Sequence, residues 1–245
     1  MVNLRHLCVK LGINEIEDPS SVQGNDGYPL ILENLQTLSF VYMAFSVLSG
    51  CFGKGSPLRK LGFYGPLISE SRDLRFPSLD FSNHLDALEL FNTAFYHEAS
   101  SSCNPIMFPQ RLKRLNLTNT ALAWNEIWTL GMLPKLKVLK LKLHACVGRQ
   151  WETSDGGFRR LKFLIFQDLD IVQWTASNNH FPCLQQLVLR GCRKLEEIPS
   201  SLGDIPTLEM IEVCWCSETA ANSTREIKKD QDSKGNYWMK IVTKE

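Results

Sequence analysis

An apolar triplet, Leu-x-x-Leu-x-(Leu/Phe/Val), returns nine times along the 245 residues and constrains the fold more than any other feature. It stands at Leu4-Leu7-Val9, Leu35-Leu38-Phe40, Leu58-Leu61-Phe63, Leu85-Leu88-Leu90 and Leu112-Leu115-Leu117. It continues at Leu136-Leu139-Leu141, Leu161-Leu164-Phe166, Leu184-Leu187-Leu189 and Leu208-Ile211-Val213. Successive starts lie 31, 23, 27, 27, 24, 25, 23 and 24 residues apart. The last two apolar positions of each triplet are two residues apart, so both point to one side of a short strand. One strand with one apolar face cannot bury itself, whereas nine stacked strands make a parallel sheet over a continuous core. Leucine supplies 35 of the 245 residues, an excess that the triplets explain.

The pattern predicts an α/β leucine-rich-repeat solenoid, a curved horseshoe with a parallel concave β-sheet and an irregular or helical convex side. About nine repeats fill residues 1–216, with a polar insert near 14–28 behind the 31-residue gap. Residues 217–245 read as a capping helix and tail, with a short strand over Asn236 to Val242. Further loose regions are expected over 50–57 and 98–105. Proline enters several strands at a fixed distance, in Phe108-Pro109, Leu133-Pro134, Phe181-Pro182 and Ile205-Pro206, with Phe76-Pro77 a related turn. Such residues belong in the loop before a strand, with the preceding apolar side chain packed beneath. The ninth repeat position is often small and polar (Thr93, Thr120, Cys192, Cys216) and is expected to bond to loop backbone. On the convex side, Leu122 to Leu130 has helical spacing with Trp124, Ile127 and Trp128 on one face, whereas 170–179 looks irregular. Leu4 opens a repeat almost at once, so an upstream domain or a longer chain is expected to cover that edge.

The residues alternating with the core leucines face the open side of the sheet. Tyr64, Glu89, Phe91, Arg114, Asn116, Lys140, Lys142, Phe163, Ile165, Gln186 and Arg190 are the candidate protein-binding set. A sheet face that meets only solvent should be polar, and Tyr64, Phe91, Phe163 and Ile165 depart from that. Loops covering these side chains would be the alternative. Lys113, Lys137 and Lys162 share the second position of consecutive repeats and form a basic stripe, either a solvated flank or a docking patch for an acidic partner.

Chemistry finds no foothold in the pattern. Gly50 to Ser56 suggests a phosphate loop, but Leu48 stands where its first glycine belongs and Gly55 follows the lysine. No Gly-x-Ser-x-Gly occurs, and the five histidines lie in different repeats without metal-ligand spacing. Cys214-x-Cys216 has poor disulfide geometry, and Cys216 falls on the polar ninth position. The sequons at Asn116 and Asn222 read as chance matches. The chain is therefore expected to be no enzyme and to hold no cofactor and no metal. A net charge of +1 gives no field for nucleic acid. No apolar run approaches a membrane span, and the first residues lack a secretory pattern. Eight cysteines without CxxC spacing suit a reduced compartment, so a cytoplasmic place is expected, with peripheral membrane association left open.

The segment Cys192-x-x-Leu195-x-x-Ile198-Pro199-x-Ser201-Leu202-Gly203 resembles the repeat of plant intracellular immune receptors. Pro57-Leu58-Arg59-Lys60-Leu61-Gly62 and the tail Ala220-Ala221-Asn222-Ser223, Glu226-Ile227, Gln231-Asp232 and Gly235-Asn236 resemble the late blight resistance proteins of nightshades. That resemblance implies NB-LRR receptors, in which the repeats restrain a nucleotide-binding switch domain and respond to a pathogen effector or a guarded host protein. Only the repeat part is matched, so ATP binding is not carried over, and no contact residue is transferred. A substrate-recognition module of an F-box ubiquitin ligase is the alternative, and an extracellular receptor a more distant one.

Overall fold

The computed structural model describes residues 4–8, 34–42, 55–67, 84–93 and 107–244. The expected insert near 14–28, the loose region 98–105, most of 50–57 and Phe76-Pro77 lie outside them. The strands in chain order are β1 (His6–Cys8), β2 (Thr37–Tyr42), β3 (Lys60–Gly65), β4 (Ala87–Asn92), β5 (Arg114–Thr118), β6 (Leu122–Ala123) and β7 (Val138–Lys142). They continue with β8 (Cys146–Val147), β9 (Gln150–Glu152), β10 (Phe163–Gln167), β11 (Gln173–Thr175), β12 (Gln186–Arg190), β13 (Met210–Cys214) and β14 (Lys240–Lys244).

Strands β1 to β5, β7, β10, β12, β13 and β14 form one sheet in that order. Every neighbouring pair is parallel. The chain folds as a leucine-rich-repeat solenoid. The triplet leucines form its core: Leu85, Leu112, Leu139, Leu164 and Leu187 are all fully buried. Each turn is tied to the next by one repeated device. The carbonyl of Lys113 accepts from the N–H groups of Lys137 and Val138 at 2.8 and 3.0 Å. The carbonyl of Lys137 does the same for Lys162 and Phe163. Turns with i to i+3 bonds enter the strands where proline was expected, as in Leu184 N–H to the Phe181 carbonyl at 3.0 Å, and Phe181 is buried beneath.

The polar ladder departs from the sequence reading in one turn. Thr120 is buried and its hydroxyl donates to the Ala145 carbonyl at 2.8 Å, as its position suggests. In the turn before, the fully buried residue is Asn92, not Thr93. Its Oδ1 accepts from Leu67 N–H and its Nδ2 donates to the Asn119 carbonyl, both at 2.9 Å. Asn119 reciprocates, donating from Nδ2 to the Asn92 carbonyl at 2.9 Å. An amide both donates and accepts, so it can join turns on either side, which a threonine hydroxyl does less completely.

The convex side corrects two expectations. Leu122 to Leu130 is not one helix with Trp124, Ile127 and Trp128 aligned. It is β6, a 3-10 turn (Trp124–Glu126) and a single helical turn α1 (Trp128–Gly131). With about three residues per turn, positions 124 and 127 eclipse and position 128 swings away. Trp124 and Ile127 are accordingly buried while Trp128 is 59% exposed. The segment expected to be irregular contains β11, which pairs with β9 through Trp174 and Trp151. Trp124, Trp151 and Trp174 stack in a row with ring centroids 5.1 and 5.4 Å apart, flanked by Phe158, Phe166 and Phe181.

The last turn carries α2 (Glu218–Ser233). Ser217 caps it, accepting from Ala220 N–H at 3.1 Å and donating to the Leu195 carbonyl. Ala220, Thr224, Ile227 and Gln231 form its buried face. The expected short strand is Lys240–Lys244 instead of Asn236 to Val242. Asn236 is held back, its N–H and side chain bonded to Gln231 at 2.9 and 2.8 Å, and Gly235 turns the chain at φ +82°. Strand β14 then extends the sheet, with Lys240 N–H donating to the Glu209 carbonyl at 2.8 Å. Ile227 lies so close to Gly203 that an added Cβ would stand 2.8 Å from its Cγ2. Gly203→Ala is expected to destabilise the chain by about 1–3 kcal/mol through overpacking, read by urea unfolding. A stability equal to wild type would show that α2 docks more loosely.

Candidate protein-binding face

The registers place the open-face side chains in three rows. Ala87, Arg114, Val138, Phe163, Gln186 and Met210 make the first. Glu89, Asn116, Lys140, Ile165, Val188 and Glu212 make the second. Phe91, Thr118, Lys142, Gln167, Arg190 and Cys214 make the third. Neighbours in a row are one strand spacing apart, about 4.8 Å.

Two apolar clusters emerge from these rows. Tyr64 and Phe91 meet across β3 and β4 with ring centroids 4.9 Å apart. Val138, Phe163, Ile165 and Val188 form the second cluster, across β7, β10 and β12. Phe163, Ile165 and Val138 are half-buried and Val188 is buried. The two valines stand at face positions, but nothing in the sequence sets them apart from any other β-branched residue in a strand. Between the clusters lies a polar belt on β5 and β7, with Arg114, Asn116, Lys140 and Lys142.

Charge on this face is partly paired. Lys60 bonds Glu89 at 3.4 Å, and Arg190 holds Glu212 at 2.7 Å. Lys140 and Lys142 have no ion pair of 4.0 Å or less among the described residues. Burial, then Lys140, pushes the Lys142 ammonium below the ordinary lysine range, with Glu89 opposing and Arg190 adding to the effect. Asn116 Oδ1 is buried without a hydrogen-bond partner among the described residues. Gln186 is half-buried at the end of the second cluster.

The backbone carbonyls of the basic stripe carry inter-turn bonds, and its side chains are not equivalent. Lys113 is bound to Asp86 at 2.8 Å, and Asp86 also reaches Arg59 at 3.7 Å. Lys137 and Lys162 have no such pair among the described residues. The stripe is thus neutralised at its start, because the preceding turn places an aspartate at the same position.

One constellation escaped the sequence. Thr153 Oγ1 lies 2.6 Å from His180 Nδ1, and His180 Nε2 lies 3.1 Å from Asp155 Oδ1. The trio has the composition of a hydrolytic triad. Yet Nδ1 also accepts from Ser177 N–H at 3.1 Å, closing a 3-10 turn (Asn178–His180), and the threonine hydroxyl is 3.1 Å from the Thr175 carbonyl. The imidazole lone pair is therefore committed to backbone, and the trio clamps neighbouring turns. No group of three or more metal-ligating side chains occurs among the described residues, and no helix there is long and apolar enough to cross a membrane.

No family model matches the chain. "Late blight resistance protein R1-A" of Solanum demissum is 34% identical over 237 residues, which covers 94% of the chain. The chain is a homologue of the late blight resistance proteins. Two further relatives from the same organism carry the names "Putative late blight resistance protein homolog R1B-16" and "Putative late blight resistance protein homolog R1B-12". Both are 32% identical, the first over 94% of the chain and the second over 100% of it. The chain spans only 17%, 17% and 18% of the length of these three relatives. The likeness to late blight resistance proteins read from Pro57 to Gly62 and from the tail thus extends across nearly the whole chain.

Proposed function

We propose that this chain is the protein-binding repeat region of an intracellular plant immune receptor. Its open face receives a pathogen effector, a guarded host protein or a nucleotide-binding switch domain that it restrains. The homology to late blight resistance proteins supports the defence setting. The observation that carries the docking face is the second apolar cluster, Val138, Phe163, Ile165 and Val188, beside Lys140, Lys142 and Arg190. Burying what stays exposed of a half-buried side chain such as Phe163 or Ile165 is worth roughly half of the 1.5–3 kcal/mol of full burial, and an aromatic anchor amid cations is a common interface centre. A partner with an apolar knob ringed by carboxylates fits, since its acidic groups relieve the repulsion between Lys140 and Lys142. Tyr64, Glu89, Phe91, Arg114, Asn116 and Gln186 extend the same face. The F-box module finds no support among the relatives, whose names are those of resistance proteins.

Co-precipitation of the chain with the nucleotide-binding domain of a late blight resistance relative tests this. Phe163→Ala with Ile165→Ala is expected to cut affinity about thirtyfold, the scale of losing roughly 2 kcal/mol at an interface centre. Lys113, Lys137 and Lys162 changed together to Glu are expected to slow association with a smaller effect on affinity. Undiminished affinity in the Phe163/Ile165 variant, with the fold intact, would remove the open face from the mechanism.

A further inference from the structure

We propose that Cys216 and Cys192 form a peroxide-responsive thiol pair, in which Cys216 reacts first and Cys192 closes a disulfide between consecutive turns. Both occupy the ninth position of their repeats, one turn apart. The strands leading to them pair in register, Arg190 with Cys214, and Gly191 N–H continues that pairing to the Cys214 carbonyl at 2.9 Å. Residues so stacked have Cα atoms about 4.8 Å apart, inside the roughly 4.4–6.8 Å range that disulfides span.

The two sulfurs differ in access. Cys192 is fully buried, with Sγ 3.7 Å from the Arg190 carbonyl. Cys216 is half-buried and lines an open cavity of about 610 Å³, together with Arg193, Trp215 and Lys244. Trp215, at φ +54°, turns the chain after β13. That turn separates the Cys-x-Cys neighbours: Cys214 Sγ lies 3.7 Å from Glu212 Oε1, whereas Cys216 faces Cys192. The neighbouring Cys192 side chain is the first cause that lowers the Cys216 thiol, to about 7, with backbone groups at Cys192, Cys214 and Gly191 adding and burial opposing, so a thiolate is present near neutral pH. Cys146 and Cys214 are pushed the other way, first by burial.

The chemistry balances with hydrogen peroxide as the oxidant. The Cys216 thiolate attacks one peroxide oxygen, the O–O bond breaks, and a sulfenic acid and hydroxide form. The hydroxide takes the Cys192 proton. The Cys192 sulfur then attacks the Cys216 sulfur, the S–S bond forms, and the sulfenic hydroxyl leaves as hydroxide and is protonated by solvent. Two thiols and one peroxide become one disulfide and two waters. Cys192 can serve although its thiol pKa is raised, because the first cause of that rise is its bond to the Cys216 sulfur, and a neutral sulfenic acid removes that charge.

The test uses the 245-residue chain treated with hydrogen peroxide, digested without reductant and read by mass spectrometry. The expected product links the Cys192 and Cys216 peptides with the loss of two hydrogens, while Cys183 and Cys146 stay reduced. Alkylation of Cys216 is expected to be about tenfold faster than that of Cys183. Cys192→Ala should leave a sulfenic acid at Cys216 that dimedone traps. Cys216→Ser, a substitution at a half-exposed site, should leave Cys192 reduced under the same treatment. Oxidation of Cys216 to the sulfinic acid in the wild type with Cys192 still free, or oxidation of Cys192 in Cys216→Ser at the wild-type rate, overturns the proposal.

Discussion

Trp151→Ala is expected to destabilise the solenoid by about 3–5 kcal/mol, the range for truncating a large aromatic in a packed core. Trp151 is 2% exposed and stands at the centre of the aromatic row. It stacks on Trp124 and Trp174 and meets Phe158, Phe166 and Phe181 at centroid distances of 6.2, 5.5 and 6.0 Å. Those rings come from consecutive turns, so the cavity left by alanine opens between turns, where the backbone bonds of the sheet prevent collapse. At about 2–4 °C per kcal/mol for a chain of this size, the thermal midpoint should fall by roughly 6–20 °C. Trp128→Ala is the control: Trp128 is 59% exposed, and its loss should change stability by less than about 0.5 kcal/mol. Equal effects from the two substitutions would mean that the row does not hold the turns together.

Asn92→Ala is expected to cost about 2–4 kcal/mol, although it removes only a small side chain, because each buried hydrogen bond lost without replacement costs about 1–3 kcal/mol. Asn92 is fully buried, and its amide serves Leu67 N–H on one side and the Asn119 carbonyl on the other. Asn92→Asp separates the two contributions: the carboxylate can still accept from Leu67 but cannot donate to Asn119, and it brings a charge into a dry site. It should therefore be at least as damaging as alanine. Hydrogen exchange at the Leu67 amide should accelerate in Asn92→Ala. Unaltered exchange there would show that the amide ladder does not anchor this turn.

The open face, too, is built from neighbours in adjacent turns. Phe163 and Ile165 were legible as face residues because they alternate with Leu164 and Phe166 along one strand. Their enlargement into a patch by Val138 and Val188 was not, since a valine in a strand signals nothing until the register places it beside an aromatic ring. The Lys113, Lys137 and Lys162 stripe shows the converse. Its spacing was visible, but the ion pair of Lys113 with Asp86 depends on the side chain one turn back. Cys216 falls on the ninth position in the sequence, yet its contact with Cys192 lies 24 positions away in the chain, and no local motif announces it.

Sequence alone determined the solenoid, the positions of the triplet strands and the leucine core. These follow from spacings of two within a strand and about two dozen between strands, both readable along the chain, and stacking the turns is the arrangement that hides those side chains from water. Tertiary structure alone decided the tryptophan row, the asparagine ladder, the apolar patch and the thiol pair. Trp124, Trp151 and Trp174 stand 12, 15 and 13 residues after the first leucine of their repeats. No fixed period marks them, because convex loops differ in length and only the stacking of whole turns brings the three rings into one line.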